Sequence, residues 1–457
     1  MLTSLKINKA RSHVKNLDYI PTKAENIEFL LETPQFKQHI LNLIHQAKER
    51  IYITSLYWEK DEAGQEILDA LYQAKLSRPE LDIKVLVDWH RAQRGRIGEK
   101  EAGSNADWYY EMHQKYANDK QNEIPFYGVP INGRELFGVL HLKGLVFDDT
   151  LLYSGASINN VYLHQLDKYR CDRYHQIKNQ ALTDSIVHFT NEHILSQEAV
   201  NRLDVLERRK TTEIRPQIKA FRKYLSHQQY QLSKPYQEEG LGLGISLLLG
   251  LKRKKNQLNK TIEALFCLTE QKLTICTPYF NFPITIRNRI AWLLKAGKQI
   301  EIVVGDKTAN DFYTKPEEKF TLASALPYLY EKNLRAFCKR HQRYIDNGQL
   351  IIRLWKNEEN TYHLKGVWID HQYILLTGNN LNPRAWRLDA ENAVLISDPK
   401  EELKPKAVQE LTKIREHTQI LKHYTDLEIV QDYPKDVRKV LKRFGRIKLD
   451  KVIKMLL

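Results

Sequence analysis

The sequence predicts an α/β fold built from two duplicated halves, and a repeated motif is the first observation that predicts it. The pattern His-x-Lys-x4-Asp runs from His141 to Asp148 and again from His363 to Asp370. Each copy leads through a short apolar run into a small polar turn that has Gly first and Asn fifth. With 457 residues the chain is too long for one ordinary core, so two fused halves are expected.

Strand-like and helix-like segments repeat at almost the same offset as the motifs, which is the second observation. In both halves a strand, a helix, a second strand and a long connection precede the motif strand, as a duplicated α/β fold requires. The paired strands are residues 51–58 and 273–280, then 83–88 and 301–306, then 145–147 and 367–369, and the paired helices are 66–75 and 287–298.

The repeat divides the chain into four predicted regions. They are residues 1–205 with the first motif, 206–260 as a helical connector with a glycine-rich apolar and basic segment, 261–430 with the second motif, and 431–457 as a basic amphipathic tail. In the tail, apolar residues recur at helical spacing among lysines and arginines.

Charge and cysteine content limit the possible partners and compartments. The net charge of +15 predicts an anionic partner, which could be nucleic acid, a nucleotide or an acidic membrane surface. Four cysteines without a C-x-x-C pair indicate neither a zinc ribbon nor a disulfide framework. No apolar run is long enough to span a bilayer, and the N-terminus lacks the apolar core of a secretory signal. We therefore expect a soluble cytoplasmic protein.

The repeated histidines predict phosphoryl chemistry. Neutral imidazole attacks phosphorus near neutral pH, and a second imidazole can carry the proton of the leaving group. Lys143 and Lys365 lie two residues beyond their histidines, on the same face of a strand, so ammonium and imidazole can address one phosphoryl group. The turn residues expected to bind phosphate are Ser157, Asn159, Asn380 and Asn382. No cluster of metal-ligating carboxylates accompanies the motifs, so we expect no metal and no cofactor.

Asp148 and Asp370 close the two motifs and belong to the candidate catalytic set by position. Seven residues beyond each histidine, however, a carboxylate more readily binds the backbone of the following turn. A single histidine in a strand is usually structural as well. The complete duplicated pattern favours catalysis for the histidines and lysines.

The two motifs and their turns resemble the phospholipase D superfamily. The resemblance implies two mixed-sheet halves with flanking helices, related by a pseudo-twofold, and one metal-independent site where both motifs meet. The chain departs from the usual pattern at Ala156 and Asn379, where serine is common, and by one extra residue between Asp370 and Gly378. None of these departures changes a histidine, a lysine or a final asparagine of the motifs.

Longer phrases resemble one family of this superfamily, the bacterial enzymes that transfer a phosphatidyl group from CDP-diacylglycerol to L-serine. The phrases are residues 88–96, 153–157, 167–174, 305–313 and 378–387. The resemblance implies release of CMP and a phosphatidyl-histidine intermediate, with His141 as nucleophile and His363 as general acid and then base. It also implies one orienting carboxylate for each histidine, Asp172 in the first half and Glu391 in the second.

Two further groups of residues are candidate contacts for the lipid substrate. Arg91, Arg94 and Arg96 form a basic turn that we expect to hold the pyrophosphate of the nucleotide. Apolar residues beside a cationic cluster are typical of interfacial binding, so we expect peripheral association with the inner face of the cytoplasmic membrane. The candidate membrane residues are Leu247, Leu248, Leu249, Lys252, Arg253, Lys254 and Lys255.

Three other functions stay open from the sequence. A cardiolipin synthase would use the same histidines, although N-terminal membrane spans are usual in that family. A phosphodiesterase or nuclease would pass the phosphoryl group to water, and the positive charge suits it. A nucleic-acid-binding protein with a decayed site would need broken motifs, and both are intact, so no specific nucleic acid is expected.

Overall fold

Strands recur along the chain in two similar series. The computed structural model describes residues 2–94, 103–117, 120–232, 242–315 and 317–446. Within these ranges the first strands are β1 (Ile20–Pro21), β2 (Ile27–Leu30), β3 (Arg50–Thr54), β4 (Asp82–Asp88), β5 (Phe126–Val129), β6 (Leu140–His141), β7 (Gly144–Phe147), β8 (Thr150–Ser154), β9 (Arg170–Cys171), β10 (Tyr174–Lys178) and β11 (Asn201–Arg202). The later strands are β12 (Gly244–Gly250), β13 (Lys272–Thr277), β14 (Gln299–Gly305), β15 (Leu350–Trp355), β16 (Thr361–Tyr362), β17 (Gly366–Ile369), β18 (Tyr373–Thr377), β19 (Ala390–Ser397) and β20 (Thr418–Ile420).

Helices connect the strands in both halves of the fold. They are α1 (Leu2–Lys15), α2 (Thr33–Gln46), α3 (Glu62–Ser77), α4 (Trp89–Gln93), α5 (Asn105–Tyr116), α6 (Asn160–Leu163), α7 (Gln180–Phe189), α8 (Arg215–Leu225), α9 (Gln257–Leu268), α10 (Ile284–Lys295), α11 (Leu326–Asp346), α12 (Lys404–Arg415) and α13 (Lys435–Arg446). Polar caps begin several of them: Asp61 accepts from the amide of Gly64 at the start of α3, and Asn256 accepts from that of Asn259 in α9.

The two sheets repeat one strand order. One sheet has the order β11-β5-β4-β3-β7-β8-β10-β2, and the other contains the series β15-β14-β13-β17-β18-β19-β12. In each sheet two central strands are parallel, β3 with β4 or β13 with β14. The motif strand, β7 or β17, runs antiparallel beside β3 or β13. The prediction of a duplicated α/β fold with two mixed sheets and flanking helices is confirmed.

Short strands join the two halves at the motifs. Strand β6 ends in His141 and pairs in parallel with β19 of the other half, which places His141 opposite Glu391. Strand β16 lies just before His363 and pairs in parallel with β9, and the amide of His363 donates to the carbonyl of Cys171 at 2.8 Å. Main-chain hydrogen bonds therefore tie each motif to the half of the fold that does not contain it.

The prediction that Leu247, Leu248 and Leu249 contact a membrane is wrong. All three lie in β12, which pairs with β19 over its whole length, and their exposed fractions are 4%, 0% and 4%. Leu248 belongs to the core around Leu258 and Ile262 of α9, whereas Leu247 and Leu249 point into the core on the other face of the sheet. A short apolar run that is covered on both faces is a buried strand, not a surface segment.

The basic residues that follow β12 do form a surface turn. Arg253, Lys254 and Lys255 are exposed, while half-buried Lys252 donates from Nζ to the hydroxyl of Ser226 at 2.9 Å. Gly240 and Leu241, at the start of the predicted membrane segment, lie outside the described residues. The turn keeps its charge at the surface without the apolar residues that were expected beside it.

The basic tail packs against the protein along its first helix. Val437 and Leu441 of α13 are buried against Tyr328, Leu329 and Tyr433. Lys435, Arg438, Lys439, Lys442 and Arg443 of α13 are exposed, and residues 447–457 lie outside the described ranges. Among the residues that the structure describes, no helix combines the length and the apolar character that crossing a bilayer needs.

Replacing Leu248 with alanine should destabilise the whole protein, because a fully buried leucine contributes both transfer free energy and packing. We expect the free energy of unfolding to fall by about 3 kcal/mol, measured by urea denaturation. The exposed Lys254→Ala variant on the adjoining turn is the control and should change stability by less than about 0.5 kcal/mol. A Leu248→Ala protein of normal stability would contradict the placement of β12 in the core.

Candidate active site

Both histidine motifs open into one cleft between the halves. The cleft has a volume of about 440 Å³. Its lining includes His141, Lys143 and His363, together with residues from the turns that follow both motifs. The cleft lies where β6 meets β19 and where β16 meets β9, so its floor is made by both halves of the chain.

His141 is held by a carboxylate of the second half. Its Nδ1 lies 2.9 Å from Oε2 of Glu391, which leaves Nε2 as the nitrogen available for reaction. Burial lowers the pKa of His141 well below 6.5, and the ammonium groups of Lys143 and Lys365 act in the same direction. Burial likewise raises the pKa of Glu391, and Asp389 adds to that rise. The imidazole of His141 is therefore neutral, as a nucleophile must be.

His363 is held by a carboxylate of the first half. Its Nδ1 lies 3.2 Å from Oδ2 of Asp172 and 2.8 Å from the hydroxyl of Tyr162, and it also contacts the Lys365 ammonium. Burial and the charge of Lys365 together lower the pKa of His363 to about 4, although Asp172 opposes them. Burial alone would raise the pKa of Asp172, but Lys365 and His363 hold it at about 2. Asp172 is thus ionised and can stabilise a proton on His363.

The orienting carboxylates are exchanged between the halves, which corrects the sequence assignment. Asp172 was expected to serve His141, and Glu391 was expected to serve His363. The structure pairs Glu391 with His141 and Asp172 with His363. The reason is topological. The strand that carries His141 pairs with β19, which carries Glu391, and the strand just before His363 pairs with β9, which Asp172 directly follows.

The two motif lysines are buried beside the histidines. Lys143 donates from Nζ to the carbonyl of Ala156 at 3.1 Å and to the hydroxyl of Ser157 at 3.2 Å. Lys365 donates to Oδ2 of Asp172 at 2.9 Å, and its side chain is 0% exposed. Burial and the charge of Lys365 lower the pKa of Lys143 to about 7. An anionic phosphoryl group in the cleft would offset this repulsion and favour the charged lysines.

Turn residues approach the site to different degrees. Ser157, Asn380 and Asn382 line the cleft. Asn159 caps α6 instead, accepting from the amide of Tyr162 at 3.1 Å and donating to Oε2 of Glu59 at 2.9 Å. It is not among the residues that line the cleft. The phosphate contact expected of Asn159 stays a prediction.

The glycines that begin the two turns lie in close packing across the interface. A Cβ on Gly155 would lie 2.9 Å from both Nζ of Lys365 and Oδ1 of Asp172. A Cβ on Gly378 would lie 3.1 Å from Cγ of Lys143. Each turn thus presses its backbone against the motif of the other half, which is where the recurring Gly of the sequence pattern has its physical basis.

Asp148 and Asp370 lie away from the cleft. Asp148 accepts from the amides of residues 48, 49 and 50 at 2.8 to 2.9 Å, and Asp370 accepts from those of residues 270, 271 and 272 at 2.5 to 2.9 Å. They fasten the turn after each motif strand to the start of β3 or β13. Their inclusion in the catalytic set is corrected: they bind backbone, as their spacing from the histidines favoured.

The basic turn after β4 reaches the cleft in part. Arg91 and Arg94 line it, and their Nε atoms lie 2.7 Å and 2.9 Å from the carboxylate of Glu135. Asp88 caps α4 and also accepts from the amide of Leu140, so this turn and the strand of His141 share one anchor. Arg96 lies outside the described residues. Nucleotide contact by Arg91 and Arg94 stays a prediction.

Other residues at the site escaped the sequence analysis as functional candidates. Asn392 clamps the backbone of Lys143, accepting from its amide and donating to its carbonyl at 2.8 Å each. Beside His363, the cleft is lined by Tyr162, Arg170, Tyr279 and Asp311. Arg170 and Asp311 fall inside the phrases that carry the family resemblance, which was the available signal. In the described part of the chain, no group of three or more His, Cys, Asp or Glu side chains is placed to hold a metal ion.

Comparison with known proteins identifies the class of this fold and site. Residues 40–162 and 263–418 match the model of a protein family described as cardiolipin synthase, phospholipase D-like domain. The chain is 55% identical over 453 residues to the CDP-diacylglycerol–serine O-phosphatidyltransferase of Haemophilus influenzae, covering 99% of each protein. It is 50% identical to the enzyme of that name from Escherichia coli K12, over the full length of both.

A solved structure agrees with these relatives over nearly the whole fold. The crystal structure of phosphatidylserine synthase from Haemophilus influenzae matches with a TM-score of 0.95 at 54% identity, covering 99% of this chain and 100% of that one. The chain therefore belongs to the phospholipase D-like family and, within it, to the CDP-diacylglycerol–serine O-phosphatidyltransferases.

Replacing Lys143 with methionine should stabilise the protein while removing activity, because the buried ammonium is kept for function at a cost to folding. We expect the free energy of unfolding to rise by about 1 to 3 kcal/mol near pH 6. The lysine has a folded pKa of about 7 against 10.5 when unfolded. Its cost is therefore full below pH 7 and fades as the pH rises toward 10.5.

Urea denaturation of both proteins at several pH values tests this prediction. The gap in stability should be largest below pH 7 and should close progressively above it. A gap that grew with rising pH would mean that Lys143 is not a desolvated cation in the folded protein.

Proposed function

We propose that the protein makes phosphatidylserine and CMP from CDP-diacylglycerol and L-serine through a phosphatidyl-histidine intermediate. One observation carries the proposal: two histidine–lysine motifs meet in one cleft, each histidine oriented by a buried carboxylate of the other half. The full-length similarity to enzymes named for this reaction supports the choice of substrates.

In the first step His141 attacks the phosphorus that carries diacylglycerol. Its Nε2 lone pair forms the phosphorus–nitrogen bond while the bond from phosphorus to the oxygen of CMP breaks. Once the substrate phosphate is bound, its negative charge offsets that of Lys365 and raises the pKa of His363 from about 4, so His363 carries the proton that it supplies to that oxygen. Lys143 with the hydroxyl of Ser157 stabilises the charge that develops on the phosphoryl oxygens. The low pKa of His141 supports its role as nucleophile, because the imidazole needs no deprotonation at neutral pH.

In the second step serine takes the phosphatidyl group. His363, neutral after the first step, accepts the proton of the serine hydroxyl as its oxygen attacks phosphorus. The phosphorus–nitrogen bond breaks, and the electron pair returns to the imidazole of His141. Ionised Asp172 beside His363 stabilises the imidazolium that forms, which supports His363 as the acid and base of the pair.

We also propose that the protein is cytoplasmic and binds the inner face of the cytoplasmic membrane through a groove between α10 and α11. The groove has a volume of about 960 Å³. Its apolar lining includes Phe280, Phe282, Ile284, Trp292, Phe337 and Tyr344. Its cationic lining consists of Arg287, Lys295, Arg340, Arg343 and Arg387. None of the described residues that line it is acidic.

The position of the groove fits a lipid substrate. One turn separates it from the catalytic cleft: Asn382 and Arg384 line the cleft, whereas Pro383 and Arg387 line the groove. Ile284 at the start of α10 is 52% exposed, so an apolar side chain already faces outward at the groove. An anionic leaflet would meet five cations there, each contributing about 1 kcal/mol near the surface. Acyl chains could then lie beside the aromatic floor while the phosphate enters the cleft.

Alanine substitution of either motif histidine should abolish catalysis, but the two variants should differ in the labelled phosphatidyl-enzyme that they can form. With CDP-diacylglycerol labelled in the phosphatidyl phosphate and no serine present, wild-type protein should retain label on His141. His141→Ala should retain none, and CMP release should fall by at least about a thousandfold in both variants. The exposed His188→Ala variant on α7 is the control and should behave as wild type.

Mass spectrometry of the labelled protein after digestion locates the phosphatidyl group. Label on His363 in the His141→Ala protein would reverse the two roles. Normal CMP release by either active-site variant would rule out the two-histidine mechanism.

Removing charge from the groove should weaken binding to anionic vesicles. We expect Arg340→Gln with Arg343→Gln to lower affinity for vesicles of phosphatidylcholine and phosphatidylglycerol by about tenfold or more. The matched control removes the same charge elsewhere, with Arg253→Gln and Lys254→Gln on the turn after β12. Vesicle sedimentation measures both. Equal losses from the two pairs would show diffuse attraction to the whole basic surface and would contradict a specific groove.

A further inference from the structure

An ion pair in the cleft has no part in the two-step chemistry. Asp311 and Arg170 both line the cleft beside His363. Oδ2 of Asp311 and Nη1 of Arg170 are 3.7 Å apart, and the side chains are 15% and 17% exposed. This distance exceeds that of a good charge-assisted hydrogen bond, so the two charges face each other without closing together.

Neighbouring side chains fix the orientation of both charged groups. The hydroxyl of Tyr279 donates to Oδ1 of Asp311 at 2.6 Å. Arg170 donates from Nε to the hydroxyl of Thr361 at 3.2 Å, and its guanidinium lies over the ring of Tyr162, 4.9 Å from the centroid. These contacts hold Oδ2 of Asp311 and Nη1 of Arg170 toward one another at the surface of the cleft.

The same neighbours connect the pair to His363. The ring of Tyr279 packs edge-on against the imidazole with centroids 6.0 Å apart, and the hydroxyl of Tyr162 contacts its Nδ1. Both groups are also charged. Burial would raise the pKa of Asp311, but Arg170 and His363 lower it below its ordinary value. The pKa of Arg170 lies above its ordinary value, since Tyr162 and Asp311 outweigh burial.

We propose that Asp311 and Arg170 are the receptor for the acceptor amino acid, with Asp311 binding the α-ammonium and Arg170 the carboxylate of serine. The inference rests on the proposed function and deepens it. A zwitterion that lies alongside the pair from the cleft gives each charge a further opposite partner and adds no net charge to a desolvated site. The hydroxymethyl group then extends toward His363, which accepts its proton. Uncharged alcohols and water lack both charges and lose both contacts.

Two other carboxylates line the cleft and are less suited to bind an ammonium. Asp389 is engaged on both oxygens, accepting from Nε of Arg384 at 2.9 Å and from the amide of Val139 at 3.0 Å. Oε2 of Glu59 accepts from the side-chain Nδ2 of Asn159, next to the turn of the first motif. Glu59 therefore provides a matched comparison, since its conversion to Gln removes one cleft carboxylate charge without changing its shape.

Serine and two of its fragments test each contact separately. Ethanolamine is serine without the carboxylate, and 3-hydroxypropanoate is serine without the ammonium. We would measure kcat/KM for all three acceptors with wild type, Asp311→Asn, Arg170→Gln and Glu59→Gln. Each value is divided by the rate at which the same variant forms phosphatidyl-enzyme without serine. Where a fragment is not transferred, its inhibition constant against serine replaces kcat/KM.

The pattern across acceptors distinguishes binding from a structural role. Asp311→Asn should lower the normalised values for serine and ethanolamine by about tenfold or more, and that for 3-hydroxypropanoate by much less. Arg170→Gln should lower those for serine and 3-hydroxypropanoate but spare ethanolamine. Glu59→Gln should affect all acceptors by one common factor.

Two results would contradict the assignment of Asp311 and Arg170 as the serine receptor. One is a common loss for all acceptors in Asp311→Asn and Arg170→Gln, which a merely structural role would give. The other is a loss confined to serine and ethanolamine that appears in Glu59→Gln and not in Asp311→Asn. Failure of wild-type protein to form phosphatidyl-enzyme from CDP-diacylglycerol would be a different failure, since it would refute the proposed function itself.

Discussion

The exchange of carboxylates between the two halves is the constraint on which the rest of the site depends. Glu391 from the second half orients His141, and Asp172 from the first half orients His363. Main-chain pairing of β6 with β19 and of β16 with β9 brings these partners together. Neither half contains a complete histidine–carboxylate pair, so the reactive geometry exists only when the halves are docked. Gly155 and Gly378 ease that docking, because a Cβ at either position would crowd the motif lysine of the other half.

Docking also concentrates positive charge that the carboxylates of the site do not balance evenly. Two buried lysines lie close to both histidines, and their repulsion contributes to the lowered pKa of Lys143 and of both imidazoles. A phosphoryl group supplies negative charge that balances the two lysines, so the site is complementary to the charge of its substrate. The halves are nevertheless unequal. Asp172 is ionised through its contact with Lys365, whereas burial and Asp389 raise the pKa of Glu391. This difference between the carboxylates gives different electrostatic surroundings to two histidines that occupy equivalent positions in the sequence repeat.

The sequence predicted the features that repeat and missed those that depend on which segments meet. The duplicated α/β fold and the family were predicted from the motifs and their offset, and both are confirmed. The exchange of Asp172 and Glu391 could not be read from the chain, because a symmetric repeat is equally consistent with pairing within halves or between them. Leu248 was misplaced for a similar reason, since an apolar run followed by lysines has the same pattern in a sheet core as at a membrane surface. Asn392 carries no motif at all, and only the register of β19 beside β6 gives it a role.

A transferase of this kind must bring a lipid and a water-soluble amino acid to one phosphorus atom, and the proposed sites divide that task in space. The groove between α10 and α11 meets the cleft at the turn that carries Asn382 and Arg384. The Asp311–Arg170 pair lies beside His363, the residue proposed to activate serine. Lipid held from the groove side leaves the region of His363 open to a soluble acceptor after CMP departs. A fixed pair of opposite charges there favours a zwitterion over water in a desolvated cleft. Selection of serine and protection of the intermediate from hydrolysis would then have the same physical cause.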